Sequence, residues 1–245
     1  MSLDFALPLG NPSINTAVAT TLTQSTQQPV WLERIGVTAK LTATATPATG
    51  IITRITVANQ SLFVSNGGSL PVEMLFPSAF VDKSDVVGAA IAAGSNVEVI
   101  VTPDAAADVS AYCGTAPVPA GQTPGEFSLD DLALFFPMGD FGALANGGTG
   151  TLTSTCTRDC QLGRIVGSTD GDGVAITGLR IAGESQLAGA GGIEFDAIAS
   201  NATDEDGLVI NKPIQAGEQV EIDLENFGAV AGANATFVRV GIFCL

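Results

Sequence analysis

Residues 52–68, ITRITVANQSLFVSNGG, return at residues 176–192 as ITGLRIAGESQLAGAGG. The offset is 124 without a gap, and Ile, Thr, Ala, Ser and the closing Gly-Gly recur in place. Conservative exchanges fill much of the remainder: Ile55 against Leu179, Val57 against Ile181, Phe63 against Leu187. Two further pairs flank this one in the same order. Residues 21–35 (TLTQSTQQPVWLERI) match residues 151–165 (TLTSTCTRDCQLGRI) at an offset of 130, keeping Thr-Leu-Thr and Leu-x-Arg-Ile. Residues 91–101 (IAAGSNVEVIV) match residues 214–224 (IQAGEQVEIDL) at 123, keeping Ile, Ala-Gly and Val-Glu. Three collinear blocks at nearly constant offset describe a tandem duplication, so the 245 residues are read as two copies of one small domain.

Both copies read as strand. Short runs rich in β-branched residues are separated by Gly, Pro, Asn, Asp and Ser, and no stretch carries a 3.6-residue period. Alternation is clearest at Val97-Glu-Val-Ile-Val101 and Val220-Glu-Ile-Asp-Leu224, where acidic residues face water between apolar ones. In copy one the strands fall near 18–26, 31–42, 51–58, 61–65, 72–76, 86–91, 96–102 and 131–136. In copy two they fall near 150–157, 162–168, 174–182, 185–189, 193–198, 207–210, 218–225 and 236–243. Eight strands per copy predict an all-β protein of two tandem eight-stranded β-sandwiches, with the jelly roll as the commonest such form. A seven-stranded immunoglobulin-like sandwich would carry a Cys…Trp…Cys spacing that is missing here.

This reading divides the chain into an N-terminal arm at 1–17, a first sandwich at 18–136, a linker at 137–150 and a second sandwich at 151–245. The arm holds Pro8, Gly10 and Asn11-Pro12 and little periodicity. Residues 104–128, punctuated by Gly114, Pro117, Pro119 and Gly125, are expected to be a long partner-contacting loop of the first sandwich.

Composition narrows the function. The chain has 25 acidic and 9 basic residues, a net charge of −16, which repels phosphate and argues against direct nucleic-acid binding. The absence of histidine excludes Ser-His-Asp and Cys-His catalysis, and no phosphate-binding glycine loop opens a helix. A carboxylate pair for glycoside hydrolysis needs a walled cleft, whereas these acids sit in turns and on alternating exposed positions. No catalytic residue is expected, and the chain is read as no enzyme. Neither a signal peptide nor a membrane-spanning run is visible, so cytosolic synthesis is expected.

Two acidic turns of the form Asp-x-Asp-Gly stand out, Asp170/Asp172 and Asp204/Asp206. Oxygen ligands two residues apart with a tightening glycine are what calcium loops use, so these four are the candidate sites for weak calcium binding, without the distal glutamate of a full loop. The alternative is ordinary Asp/Gly hairpin turns. Of the four cysteines, Cys156 and Cys160 form a Cys-x3-Cys pair, and Cys244 reads as a small buried hydrophobe.

Tandem eight-stranded sandwiches, an arm, no secretion signal and no catalytic groups together resemble the double jelly-roll major capsid proteins of tailless, membrane-containing DNA phages such as corticoviruses and autolykiviruses. The resemblance covers residues 18 to 245 and rests on architecture and the duplicated blocks. It implies a virion location and trimers of pseudo-hexameric outline in an icosahedral shell. Its partners would be neighbouring capsomers, penton or minor capsid proteins and an internal membrane. The alternative is a tandem β-sandwich binding module, or a phage spike or cement protein, recognising glycans or a host surface. Such a module would need exposed rings for stacking, and Trp31 and Tyr112 are the chain's only Trp and Tyr.

Overall fold

The computed structural model describes residues 5–75, 88–126, 134–187, 191–198, 208–228 and 234–244. It divides into two compact units. Unit 1 is Met1–Phe63 with Leu75–Leu134, and unit 2 is Val64–Met74 with Phe135–Leu245.

Unit 1 contains β1 (Phe5–Gly10), β2 (Ser13–Ile14), β3 (Thr20–Ser25), β4 (Val30–Leu41), β5 (Gly50–Val57) and β6 (Gln60–Ser61), then β8 (Ala89–Ile91), β9 (Asn96–Pro103) and β10 (Ala107–Ala116). The short β7 (Leu70–Pro71) lies in the segment assigned to unit 2. One sheet of unit 1 has the order β1-β10-β4-β8 and the other β3-β9-β5-β6. Lettered B to I, these are the B-I-D-G and C-H-E-F sheets of a jelly roll.

Unit 2 repeats the order. Its strands are β11 (Leu134–Asp140), β12 (Thr149–Thr155), β13 (Cys160–Thr169), β14 (Val174–Ile181), β15 (Glu184–Ser185), β16 (Ile193–Glu194), β17 (Val209–Ile214), β18 (Gln219–Asn226) and β19 (Val238–Cys244). The sheets run β11-β19-β13-β17 and β12-β18-β14-β15, again B-I-D-G and C-H-E-F. The protein is a double jelly roll.

The inward faces follow from two-residue alternation. Val97, Val99 and Val101 of β9 are fully buried opposite Val57, Ile55 and Ile52 of β5. Val220, Ile222 and Leu224 of β18 are buried opposite Ile181, Leu179 and Ile176 of β14. Each such side chain contributes about 1.5–3 kcal/mol on leaving water.

The repeated blocks coincide with irregular pairing. In β5 the register against β9 slips between Ile52 and Arg54; in β14 it slips against β18 between Ile176 and Gly178. The skipped residues, Thr53 and Thr177, are the invariant Thr of the repeat. The D strands behave alike: β4 slips against β10 between Leu32 and Arg34, and β13 against β19 between Leu162 and Arg164. Leu-x-Arg-Ile therefore marks a bulge, whose one extra residue sets the facing of every side chain beyond it.

Several boundaries differ from the sequence reading. Residues 5–10 are a strand of the first jelly roll, paired with β10 along Phe5 to Gly10, and not part of a detached arm. Pro8 is tolerated because β1 is an edge strand, where a missing N–H breaks no ladder; Pro137 of β11 and Pro213 of β17 also lie on edge strands. The expected loop 104–128 contains the ten-residue strand β10, whose Val109, Ala111 and Cys113 are buried between Asp108, Ser110 and Tyr112. The strand expected at 131–136 is β11, the first strand of unit 2, and 137–150 holds its end and the start of β12. The connection between the last strand of unit 1 and the first of unit 2 is therefore 117–133, of which 127–133 lie outside the described residues. The strand expected at 72–76 is a 3-10 turn, Val72–Leu75, and its counterpart in copy two is the 3-10 turn Phe195–Ala197.

Candidate functional site

β13 ends at Thr169, and the acidic turn Asp170-Gly-Asp-Gly173 leads into β14. The Asp170 carboxylate faces the protein: Oδ1 accepts from the backbone N–H of Thr236 at 2.7 Å and of Phe237 at 3.3 Å, and Oδ2 accepts from the Thr236 hydroxyl at 2.5 Å. Thr169 Oγ1 donates to the Phe237 carbonyl at 2.9 Å and accepts from Gly171 N–H at 3.1 Å. These bonds fasten the turn to the approach of β19. Asp172 is exposed and does not join Asp170 in this network. Asp204 and Asp206 lie outside the described residues. Among the described residues no three His, Cys, Asp or Glu side chains are placed to hold a metal ion.

The outer face of each C-H-E-F sheet carries one arginine gripping the H strand. In unit 1, Arg54 Nη1 lies 3.4 Å from Glu98 Oε1. In unit 2, Arg180 Nε donates to Glu221 Oε2 at 2.6 Å, and Nη1 and Nη2 donate to the two oxygens of Asp223 at 2.7 and 3.1 Å. Glu98 and Glu221 are equivalent in the repeat, but the arginine has moved two residues along strand E, from the position of Gly178 to that of Thr56. A two-residue step keeps the same face. Gly178 leaves room for the cluster, since a Cβ there would lie 2.3 Å from Asp223 Oδ2. Arg180 holds the Asp223 carboxyl below its ordinary value, with Thr151 Oγ1 donating a further bond at 2.9 Å.

Another ion pair, with its arginine buried and its aspartate exposed, lies in the other sheet of unit 2. Arg239 on β19, 5% exposed, donates from Nε to Asp140 Oδ2 on β11 at 2.8 Å, and its guanidinium sits 4.2 Å above the Phe237 ring. Phe135 and Phe243 meet nearby at 5.6 Å between ring centroids.

The segment Val64–Met74 packs inside unit 2. Val64 N–H donates to the Phe135 carbonyl and Thr157 N–H to the Val64 carbonyl. A Cβ on Gly241 would meet Leu70 Cδ2 at 2.6 Å and Met74 Sδ at 2.7 Å, so β19 needs glycine for the close approach. Glu73 Oε1 accepts from the Ser168 hydroxyl at 3.0 Å.

No protein-family model and no curated protein matches this sequence. Among solved structures the chain is similar to the crystal structure of the major capsid protein P2 from bacteriophage PM2. The TM-score is 0.42 at 12% identity, with 99% of this chain and 98% of that chain covered.

Two features escaped the sequence reading. The B strands share Leu7-Pro8-Leu9-Gly10 and Phe136-Pro137-Met138-Gly139 at an offset of 129, a fourth repeated block that places β1 and β11 as equivalents. The second is a line of three thiols: Cys160 Sγ lies 3.9 Å from Cys156 Sγ and 3.5 Å from Cys244 Sγ. Here the order along the chain gives no signal, because Cys244 arrives through the pairing of β19 with β13.

Proposed function

We propose that this protein is the major capsid protein of a virus, working by assembly and performing no catalysis. The observation that carries the reading is the repetition of one B-I-D-G/C-H-E-F sandwich within one chain, matched down to the bulges of strands D and E. Three such chains around a threefold axis present six similar wedges, so a trimer fills a hexagonal site in an icosahedral shell while using simple cyclic symmetry. Prolines on three sheet edges, Pro8, Pro137 and Pro213, favour contact through side chains over strand addition between neighbours. The net charge of −16 keeps such a coat from binding nucleic acid directly. On this reading the protein resides in the virion, beside other capsomers, penton or minor capsid proteins and an inner membrane.

Light scattering coupled to size exclusion tests the reading. A particle of three times the 24.7 kDa chain mass, or a larger closed shell seen by electron microscopy, is the expected result. A stable monomer that binds glycans would overturn it in favour of a recognition module.

A further inference from the structure

The three thiols of unit 2 lie at one end of its B-I-D-G sheet, and the function proposed above makes no use of them. Cys244 on β19 faces Leu162, and Cys160 stands two residues earlier on β13, on the same side of that strand. The two cysteines are thus diagonal cross-strand neighbours, which brings their sulfurs to 3.5 Å. Cys156 lies further from Cys160, at 3.9 Å, and its thiol is engaged with the Arg158 carbonyl at 2.7 Å. Its backbone is also pinned, N–H to the Glu218 carbonyl and C=O to Gly217 N–H, each at 2.8 Å. Cys160 is half-buried, whereas Cys156 and Cys244 are 2% and 3% exposed. A small oxidant therefore meets Cys160 first.

We propose that Cys160 and Cys244 form a disulfide when the protein meets a small-molecule disulfide such as oxidised glutathione, with Cys160 as the entry thiol. The Cys160 thiolate attacks one glutathione sulfur, expelling a glutathione thiolate and leaving a mixed disulfide. The Cys244 thiolate then attacks the Cys160 sulfur and expels the second glutathione thiolate. The two protein thiol protons end on the two released glutathiones, so two protein thiols are oxidised and one glutathione disulfide is reduced. The sulfurs close from 3.5 Å to the bond length of about 2.05 Å through side-chain rotation. On the capsid reading, on which this consequence alone rests, the bridge closes once the coat leaves the reducing host interior.

The test is a thiol count in denaturant after overnight incubation of the full chain with oxidised glutathione at pH 8.5, followed by peptide mass spectrometry. The expected result is two of the four thiols lost, one peptide linking residues 160 and 244, and an unfolding temperature raised by roughly 5–15 °C. Cys113, buried in unit 1, remains a free thiol as an internal control. Cys244→Ser should trap a stable glutathione adduct on Cys160, while Cys156→Ser should leave the bridge intact. Four persisting thiols, a stable adduct on wild-type Cys160, or a peptide linking 156 to 160 would each overturn the proposal. A chain that bridges but stays monomeric keeps this inference and loses the capsid reading.

Discussion

Arg180 meets Asp223 as a fork, Nη1 at 2.7 Å from one carboxylate oxygen and Nη2 at 3.1 Å from the other. The pair spans strands E and H on a solvent-facing sheet, so water screens it and its strength lies in geometry. The consequence is a pH dependence. Asp223 binds its proton less readily folded than unfolded, so its contribution is complete above the ordinary aspartate value near 4 and disappears as pH falls through the lower folded value. The unfolding temperatures of wild type and Asp223→Asn should differ by a constant amount from pH 7 to 5 and converge below about pH 4. A gap that stays constant down to pH 2 would remove the ion pair as its origin.

Gly67 and Gly68 separate crowding from backbone strain. A Cβ on Gly67 would lie 1.9 Å from the Pro137 carbonyl oxygen, part of a backbone that cannot step aside, whereas Gly68 has open space around it but φ +85°. Gly67→Ala should cost about 1–3 kcal/mol and make residues 64–74 an early cleavage site in limited proteolysis. Gly68→Ala should cost about 1–2 kcal/mol, from the left-handed backbone alone, and leave the cleavage pattern unchanged. Urea titration gives both numbers.

Removing the carboxylate from Asp140 leaves the nearly buried Arg239 without its β11 partner. Asp140 itself retains some contact with water, so Asp140→Ala should cost about 1–3 kcal/mol in urea unfolding, below the full penalty for a wholly buried pair. Arg239→Met, which removes the charge and keeps the apolar stem over Phe237, should be milder than Asp140→Ala.

Thiol exchange at Cys160 should accelerate with pH well past neutrality. Cys156 on one side draws the Cys160 thiol down, but the hydrogen bond with Cys244 and burial together leave it pushed up to about 12, with Arg158 opposing and Cys244 adding to the rise. The thiolate fraction then grows about tenfold per pH unit between pH 7 and 9, and so should the rate of glutathione release. A plateau above pH 8 would contradict this.

The sequence was most informative where alternation and duplication agreed. Strands β5 and β9 and their counterparts β14 and β18 are legible because aliphatic residues alternate with polar ones and recur at fixed offsets, and β3 and β12 because Thr-Leu-Thr recurs. The matched blocks begin at strand C, so in sequence the first B strand reads as an arm, the second as the end of copy one, and the intervening β10 as a loop. Each miss has a physical source. The B strands carry proline, which reads as a breaker until their edge position is known. β10 fills much of its inward face with Ala107, Ala111 and Cys113, side chains too small to raise an apolar signal, while on the other face Tyr112 lies over Gly36 and Arg34 over Gly114. Of the acidic turns, spacing alone could not reveal that Asp170 is occupied by Thr236 and Phe237.

The matched bulges set rules for recombining the two halves. On either side of Thr53 or Thr177 the phase of inward and outward residues is fixed independently, and the same holds across Glu33 and Gly163. A hybrid that exchanges a whole strand, or crosses over at the slipped residue, preserves every facing. Forcing that one residue into the regular ladder would send half a strand's valines and isoleucines outward, turning a fold that hides its oily side into one that displays it.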